Sequence, residues 1–240
     1  MRGLKFGNKI AEPAIRTLAD LKDLLYDPAS MKDAPDTGIY YMYRDLALGR
    51  KDKETMMREH IRYDITVMPP RTIGSEYVKT VGHYHPLVPG TSLSYTELYE
   101  VLEGTAHYLL QKLEDGKVSD VILVQAGKGD KVLMPPNYGH ITINPGNKEL
   151  KMSNLVSDNF TSDYEPYQRM RGGAYYELTG GLRKNENYGP LPEIRVVKAK
   201  KIPELGIEKS EEIYSIVRKE PERLRFLSSP QNYGWLLGLY

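Results

Sequence analysis

Three histidines and one glutamate have the residue types and the spacing of a metal site. His83 and His85 are separated by one residue, so on a strand both side chains would lie on the same face. His140 follows a Pro-Pro turn later in the chain, and Glu97 lies on a strand between them. Imidazole and carboxylate suit a divalent transition metal such as iron, manganese, nickel or zinc. The four residues therefore predict a centre with three nitrogen ligands and one oxygen ligand. The alternative is that they are ordinary polar residues of the core or the surface.

Glycine, proline and asparagine recur at fixed distances around these residues. Six residues separate Glu97 from Gly104. A second block consists of Gly129, Pro135, Asn137, His140 and Asn144. The numbers of residues between successive members of this block are five, one, two and three. Asn137 stands where the pattern usually has glycine, and asparagine tolerates a left-handed backbone better than most residues. Together the two blocks resemble the motifs of the cupin superfamily, which implies an all-β jelly-roll (double-stranded β-helix) barrel.

The elements that would position these residues are short strands. Stretches rich in alternating apolar residues recur every 8–12 residues with turn residues between them, which indicates an all-β sandwich or barrel. Within 61–68, Ile61, Tyr63, Ile65 and Val67 would share one face and Arg62, Asp64 and Thr66 the other. Strands are predicted at 39–43, 61–68, 76–85, 95–102, 105–113, 118–125, 140–144, 151–157 and 194–197.

Helical signals appear only near the two ends and in one charged stretch. Thr17 and Asp20 form an N-cap signal before leucines at helical spacing, and this helix should end by Asp27 because proline follows. Residues 33–38 predict a turn, and 44–60 a surface loop or short helix. Ser210 is predicted to cap a last helix that ends before Pro221.

These elements divide the chain into three predicted parts. Residues 1–37 form an N-terminal helix and arm, 38–165 the barrel with the metal site, and 166–240 a C-terminal extension. The tail 233–240 is apolar. A free apolar terminus is unfavourable in water, so the extension should pack on the barrel or on a partner subunit.

Composition excludes several functional classes. The 240 residues include 33 basic and 32 acidic side chains. This balance produces no strong positive electrostatic field that would attract nucleic acid or an acidic membrane. No apolar run approaches the ~18 residues of a membrane span, and the first residues do not have the pattern of a signal peptide. A cytoplasmic protein is therefore expected. Zero cysteines exclude disulfides and sulfur ligands. The 19 tyrosines predict either ordinary packing or a pocket lined with hydroxyl groups.

The chain also resembles one cupin family in particular, the cupin-type phosphoglucose isomerases of archaea. The resemblance covers roughly residues 38–165. It is carried by Thr66-Val67, Gly74, Thr80-x-Gly82-His83-x-His85, Glu97-x-Tyr99, Leu109-Leu110-Gln111 and Pro135-Pro136-x-x-x-His140, with Tyr40 and Asp163-Tyr164 at matching places.

This resemblance implies the interconversion of glucose 6-phosphate and fructose 6-phosphate, a reaction of glycolysis and gluconeogenesis. By position, His83, His85, Glu97 and His140 would bind one divalent ion per subunit, iron(II) first, with manganese, nickel and zinc as alternatives. The residues around the phosphate would be Tyr40, Thr66, Thr80, Gly82 and Tyr164, all of them uncharged donors, without an arginine clamp.

Glu97 is also the family's candidate base, and two reaction routes stay open. One abstracts the C2 proton and passes through a cis-enediol, which requires a base with a pKa near the working pH. A nearby cation lowers the pKa of a carboxylate, which weakens Glu97 as that base. The other route is a hydride shift. Tyr99, on the same face as Glu97, would assist proton transfer between oxygens, or it would only pack the barrel wall.

Two other functions compete with the isomerase. A cupin dioxygenase would use the same ligands for oxygen chemistry, although the proposed phosphate donors disfavour it. A non-catalytic sugar-phosphate-binding cupin would keep the pocket without turnover. A homodimer is the expected assembly.

Overall fold

The computed structural model describes residues 3–33 and 38–240, and over these residues strands dominate. The turn predicted at 33–38 therefore lies largely outside the described residues. The strands are β1 (Leu4–Phe6), β2 (Lys9–Ala11), β3 (Ala14–Thr17), β4 (Gly38–Tyr43), β5 (Ile61–Met68), β6 (Thr72–Ile73), β7 (Glu76–Tyr77), β8 (Glu97–Glu103), β9 (Thr105–Glu114), β10 (Lys117–Gly127), β11 (Lys131–Met134), β12 (Tyr138–Ile143), β13 (Leu150–Ser157), β14 (Tyr175–Leu178), β15 (Gly181–Lys184) and β16 (Arg195–Lys198).

The helices are short and peripheral. The α-helices are α1 (Leu18–Leu21), α2 (Arg50–Arg58), α3 (Glu165–Arg169) and α4 (Tyr214–Lys219). Short 3-10 helices span Lys22–Leu24, Pro28–Asp33, Glu186–Tyr188, Pro203–Leu205, Pro221–Leu227, Pro230–Asn232 and Gly234–Gly238. None of the helices in the described residues is both long and apolar enough to cross a membrane.

Two sheets enclose the main core. One has six strands in the order β11-β8-β13-β5-β4-β3, and the other has four in the order β12-β9-β10-β16. Their pairs are antiparallel except β10 with β16, which is parallel. Val101 and Met152 of the first sheet share one buried cluster with Leu110 and Val124 of the second. The two facing sheets confirm the predicted all-β fold of jelly-roll type.

Alternation along β8 sends its side chains to two different cores. Tyr99 and Val101 belong to the core between the sheets, whereas Leu98 belongs to a second core on the outer face of the six-stranded sheet. Glu97 lies two residues before Tyr99 on the same strand, so its side chain also faces the barrel interior. The outer residues Leu98 and Leu155 are fully buried, so another segment must cover that face.

The C-terminal residues provide that cover. Ile213, Phe226 and Leu236 pack with Leu98 in the second core. The Tyr240 hydroxyl donates to the Leu133 carbonyl oxygen at 3.1 Å. The expectation that the apolar tail packs on the barrel agrees with these contacts, while the three-part division of the chain stays a prediction.

The last α-helix begins later than the sequence suggested. Ser210 does not cap it, because α4 begins at Tyr214. The Ile213 N–H donates instead to Oε2 of Glu100 at 2.7 Å, which fixes the start of the helix to the barrel. A long-range partner has replaced the local cap that the sequence indicated.

Tyr214 links α4 to α2 and offers a test of how firmly the extension belongs to the fold. Its hydroxyl donates to Oδ2 of Asp52 at 2.9 Å and accepts from the Leu48 N–H at 2.8 Å. Tyr214→Phe removes one hydrogen bond from each partner, although Oδ2 of Asp52 keeps its ion pair with Arg218 at 3.7 Å, so we expect the free energy of unfolding to fall by about 2 kcal/mol. Denaturant titration measures this, with the exposed Tyr26→Phe as control. Equal stability of the two variants would contradict the expectation.

Candidate metal centre

The segment that carries His83 and His85 is not the regular strand that the sequence predicted. Strand β7 ends at Tyr77, and beyond it single bridges join Lys79 to Ile143 and His83 to His140. Gly82 interrupts the regular pattern with a φ of +77°. A Cβ atom there would lie 2.4 Å from Cγ1 of Ile141, so the chain passes β12 too closely for a side chain.

The backbone of this segment aligns two of the predicted ligands. The His83 N–H donates to the His140 carbonyl oxygen at 3.2 Å, and the His140 N–H donates to the His83 carbonyl oxygen at 3.0 Å. The Nε2 atoms of His83 and His85 nevertheless lie only 3.1 Å apart, so both imidazoles point to one place. The prediction that they share a side is confirmed although the strand is irregular.

Glu97 completes the group. Its Oε2 atom is 3.2 Å from Nε2 of His85, 3.2 Å from Nε2 of His140 and 3.7 Å from Nε2 of His83. One donor atom from each of the four residues lies within 4.8 Å of the others. An ion bonded at about 2.1 Å to each donor would hold neighbouring donors about 3.0–3.4 Å apart. The donor set therefore fits a transition-metal ion.

The buried atoms of the group favour a cation over a closed hydrogen-bond network. Among the described residues, Oε2 of Glu97 and Nδ1 of His140 are buried without a hydrogen-bond partner. Nδ1 of His85 lies 2.9 Å from the Tyr95 carbonyl oxygen. A carbonyl only accepts, so Nδ1 carries the proton and the Nε2 lone pair is free for a ligand.

The charge states also suit metal binding. Burial, together with the neighbouring His140, lowers the pKa of His83 to about 3. Burial likewise lowers the pKa of His140, so both rings are neutral near pH 7. Burial alone would raise the pKa of Glu97, but the three imidazoles beside it hold that pKa well below its ordinary value. Neutral imidazoles around a carboxylate are the forms that bind metal.

The long segment between His85 and Glu97 is tied to the turn before His140. The Asn137 side-chain oxygen accepts from the Ser94 N–H at 2.8 Å, and the Asn137 N–H donates to the Ser94 hydroxyl at 2.7 Å. Asn137 has a φ of +68°, as expected for an asparagine in place of glycine. These bonds connect the two motif blocks directly.

A cavity of about 270 Å³ opens onto the four clustered residues. Its lining includes every site residue predicted from the sequence, namely Tyr40, Thr66, Thr80, Gly82, His83, His85, Glu97, Tyr99, His140 and Tyr164. The Tyr40 hydroxyl accepts from the Val81 N–H at 3.4 Å, and Thr80 Oγ1 accepts from the Thr142 N–H at 3.0 Å. Both hydroxyl groups keep a proton to donate. The individual roles of these residues stay predictions.

The same cavity contains charged residues that sequence reasoning did not select. Arg16, Arg44, Arg62 and Asp64 also line it. Strand alternation placed Arg62 and Asp64 on the face of Thr66, so that signal was available. Nε of Arg62 donates to Oδ2 of Asp64 at 2.9 Å, and burial raises the pKa of Asp64. Nothing in the sequence indicated a role for Arg16, because residues 1–16 were predicted to form an irregular or edge segment.

The family model described as glucose-6-phosphate isomerase (GPI) matches residues 15–193. The chain belongs to the glucose-6-phosphate isomerase family. The predicted family is therefore confirmed. The matched region is longer than the resemblance noted over residues 38–165, and residues 194–240 lie outside it.

Curated relatives carry the same name. The chain is 28% identical over 154 residues to a glucose-6-phosphate isomerase of Thermococcus litoralis, covering 64% of this chain and 74% of that protein. It is 27% identical over 138 residues to that of Pyrococcus furiosus, covering 58% and 66%.

Solved structures resemble the chain more distantly. An oxalate oxidase in complex with the substrate analogue glycolate is 18% identical, with a TM-score of 0.35, and the match covers 44% of this chain and 46% of that one. An oxalate decarboxylase mutant of Bacillus subtilis is 16% identical, with a TM-score of 0.36, covering 53% and 28%.

Proposed function

We propose that this member of the glucose-6-phosphate isomerase family interconverts glucose 6-phosphate and fructose 6-phosphate with the help of one divalent metal ion. The observation that carries the proposal is the convergence of three Nε2 atoms on Oε2 of Glu97 at the wall of the cavity. Family membership supplies the substrate, and the hydroxyl and cationic groups of the cavity suit a phosphorylated hexose.

His83, His85, Glu97 and His140 would hold the ion. When bound, it supplies Lewis-acid chemistry that polarises the substrate's carbonyl and hydroxyl oxygens. Iron(II) is the first choice, with manganese, nickel and zinc as alternatives, because all four accept imidazole and carboxylate ligands.

Glu97 is the proposed base of the proton-transfer route, in which it removes the proton from C2 and returns it to C1. Its low pKa makes it a weak base, which favours the hydride route unless substrate binding changes its surroundings. Turnover in D2O separates the two routes. Deuterium at the transferred position would establish proton transfer, whereas a hydride shift predicts that none is incorporated.

Tyr99 is proposed to donate a proton between substrate oxygens. Its hydroxyl lies 3.3 Å from Nε2 of His140. Burial and the neighbouring Glu97 raise the pKa of Tyr99 well above its ordinary value, so the hydroxyl is a donor at neutral pH.

Tyr99→Phe is therefore expected to lower kcat about a hundredfold with the metal content unchanged. The matched control is Tyr108→Phe, whose ring lies 5.2 Å from that of Tyr99 but does not line the cavity. Steady-state kinetics measures the effect. Equal kcat values for the two variants would make Tyr99 a packing residue only.

The phosphate would bind at the end of the cavity formed by Tyr40, Thr66, Thr80, Gly82 and Tyr164. Burial raises the pKa of Tyr40 to about 12, so its hydroxyl stays a hydrogen-bond donor. A backbone N–H and hydroxyl groups are common phosphate partners.

The direct test is isomerase turnover, followed as glucose 6-phosphate formed from fructose 6-phosphate in a coupled assay. Oxygen consumption in place of isomerisation would support a dioxygenase, which the charged and hydroxyl lining of the cavity disfavours. Sugar-phosphate binding without turnover would support a non-catalytic cupin.

We also propose a cytoplasmic homodimer that acts in glycolysis and gluconeogenesis. Apolar side chains on two sheet edges support self-association, since Ile15 on β3 and Val196 on β16 are 52% and 51% exposed. Light scattering coupled to size-exclusion chromatography measures the mass, and a monomer at micromolar concentration would contradict the dimer.

A further inference from the structure

We propose that Arg16 binds the phosphate group of the substrate, so that the N-terminal strand completes the active site. This proposal rests on the proposed isomerase function and names the residue that selects a phosphorylated sugar over a neutral one.

The sheet register places Arg16 at the phosphate end. Strand β3 pairs antiparallel with β4, and Arg16 lies directly opposite Tyr40. Residues that face each other across antiparallel strands project to the same side of the sheet. Both side chains line the cavity, together with Thr80 and Gly82. Arg16 therefore joins the residues that already form the proposed phosphate site.

The guanidinium group of Arg16 has an N–H donor available to bind a ligand. Its Nε is buried and, within the described part of the chain, has no hydrogen-bond partner. Nη1 lies 3.5 Å from Oδ1 of Asp20, at the limit of a hydrogen bond. The other oxygen of Asp20 accepts from the N–H and hydroxyl of Thr17 at 2.7 and 3.1 Å, which makes Asp20 chiefly a helix cap.

Tyr164 connects this guanidinium group to the metal centre. Cζ of Arg16 lies 5.8 Å from the centre of the Tyr164 ring, which itself lies 5.6 Å from the centre of the His83 ring. A hexose 6-phosphate carries its phosphate at the opposite end from C1 and C2. With the reacting carbons at the histidines, the phosphate would extend past Tyr164 toward Arg16.

Charge balance favours the same assignment. Besides the proposed metal ligand Glu97, the cavity contains the carboxylate of Asp64, which repels a phosphate dianion unless a cation compensates. Nε of Arg62 is bound to Asp64, whereas Nε of Arg16 has no hydrogen-bond partner among residues 3–33 and 38–240. A guanidinium group binds phosphate through two parallel N–H bonds, which is stronger than a bond from a neutral hydroxyl.

The test replaces Arg16 with methionine and with lysine. Arg16→Met is expected to raise the KM for fructose 6-phosphate and the inhibition constant of inorganic phosphate by roughly tenfold to a hundredfold. The kcat should stay within about threefold, and metal content should not change. Lysine keeps the charge without the forked geometry, so Arg16→Lys should recover part of the loss.

The matched control is Arg169→Met. Nη1 of Arg169 lies 3.4 Å from Oε1 of Glu165, a pair with the same four-residue spacing as Arg16 and Asp20, but Arg169 does not line the cavity. Its KM should equal that of the unmodified protein. Circular dichroism would show that each variant is folded.

An unchanged KM and phosphate inhibition in Arg16→Met would overturn the proposal. A fall in kcat alone would also overturn it, because that pattern indicates a structural role. If the unmodified, metal-loaded protein does not turn over fructose 6-phosphate, the isomerase function fails instead. In that case, calorimetric titration with inorganic phosphate still tests whether Arg16 binds phosphate. Only a loss of phosphate binding in Arg16→Met supports that role.

Discussion

Replacing Glu97 with glutamine is expected to lower kcat/KM for fructose 6-phosphate by at least about a thousandfold. Oε2 of Glu97 is the point where three imidazole nitrogens meet, at 3.2 to 3.7 Å. Glutamine has nearly the same shape but carries no charge and cannot accept the C2 proton. The change therefore removes an anionic ligand and the candidate base together, while the packing of β8 stays intact.

A control for this variant lies on the same strand. Glu103→Gln changes an exposed carboxylate at the end of β8, outside the cavity, and should leave kcat/KM unchanged. The two variants should also differ in metal content measured by mass spectrometry. Glu97→Gln with activity within tenfold of the unmodified protein would exclude this residue from the chemistry.

His140→Ala is expected to abolish stable metal binding and, with it, isomerase activity. Its Nε2 lies 3.2 Å from Oε2 of Glu97, and its side chain is 2% exposed. Loss of a direct ligand should weaken metal binding by more than the about 10- to 100-fold typical of residues that only support a ligand. Because binding to the folded state raises stability, the metal-induced increase in Tm should also disappear.

His60→Ala is the appropriate comparison, since His60 is exposed and lies away from the cavity. It should bind one equivalent of metal and show the full rise in Tm. If His140→Ala also keeps one tightly bound equivalent, the ion occupies another site and the four-residue centre is wrong.

Part of the predicted group of metal ligands rests on local signals, while the inclusion of His140 came from the spacing of the two motif blocks. The one-residue spacing of His83 and His85 predicted that their side chains share one side. Strand alternation predicted that Glu97 and Tyr99 share one face, which is the face toward the barrel interior. The left-handed backbone at Asn137 followed from the small set of residues that tolerate it. Each of these inferences needs only the geometry of a few consecutive residues.

Other features depend on partners far away in the chain. The irregular path around Gly82 results from its close approach to Ile141, and the late start of α4 results from the bond between Ile213 and Glu100. Arg16 reaches the cavity only because a short edge strand pairs with β4. No local pattern in residues 14–17 indicates that pairing.

The most direct test is the coupled isomerase assay on protein stripped of metal and then reloaded with single divalent ions. Fructose 6-phosphate turnover is expected to disappear on stripping and to return on reloading, with iron(II) expected to restore it. Absence of turnover with every ion tested, on protein shown to be folded and metal-loaded, would contradict a metal-dependent isomerase, as would full activity of the stripped protein.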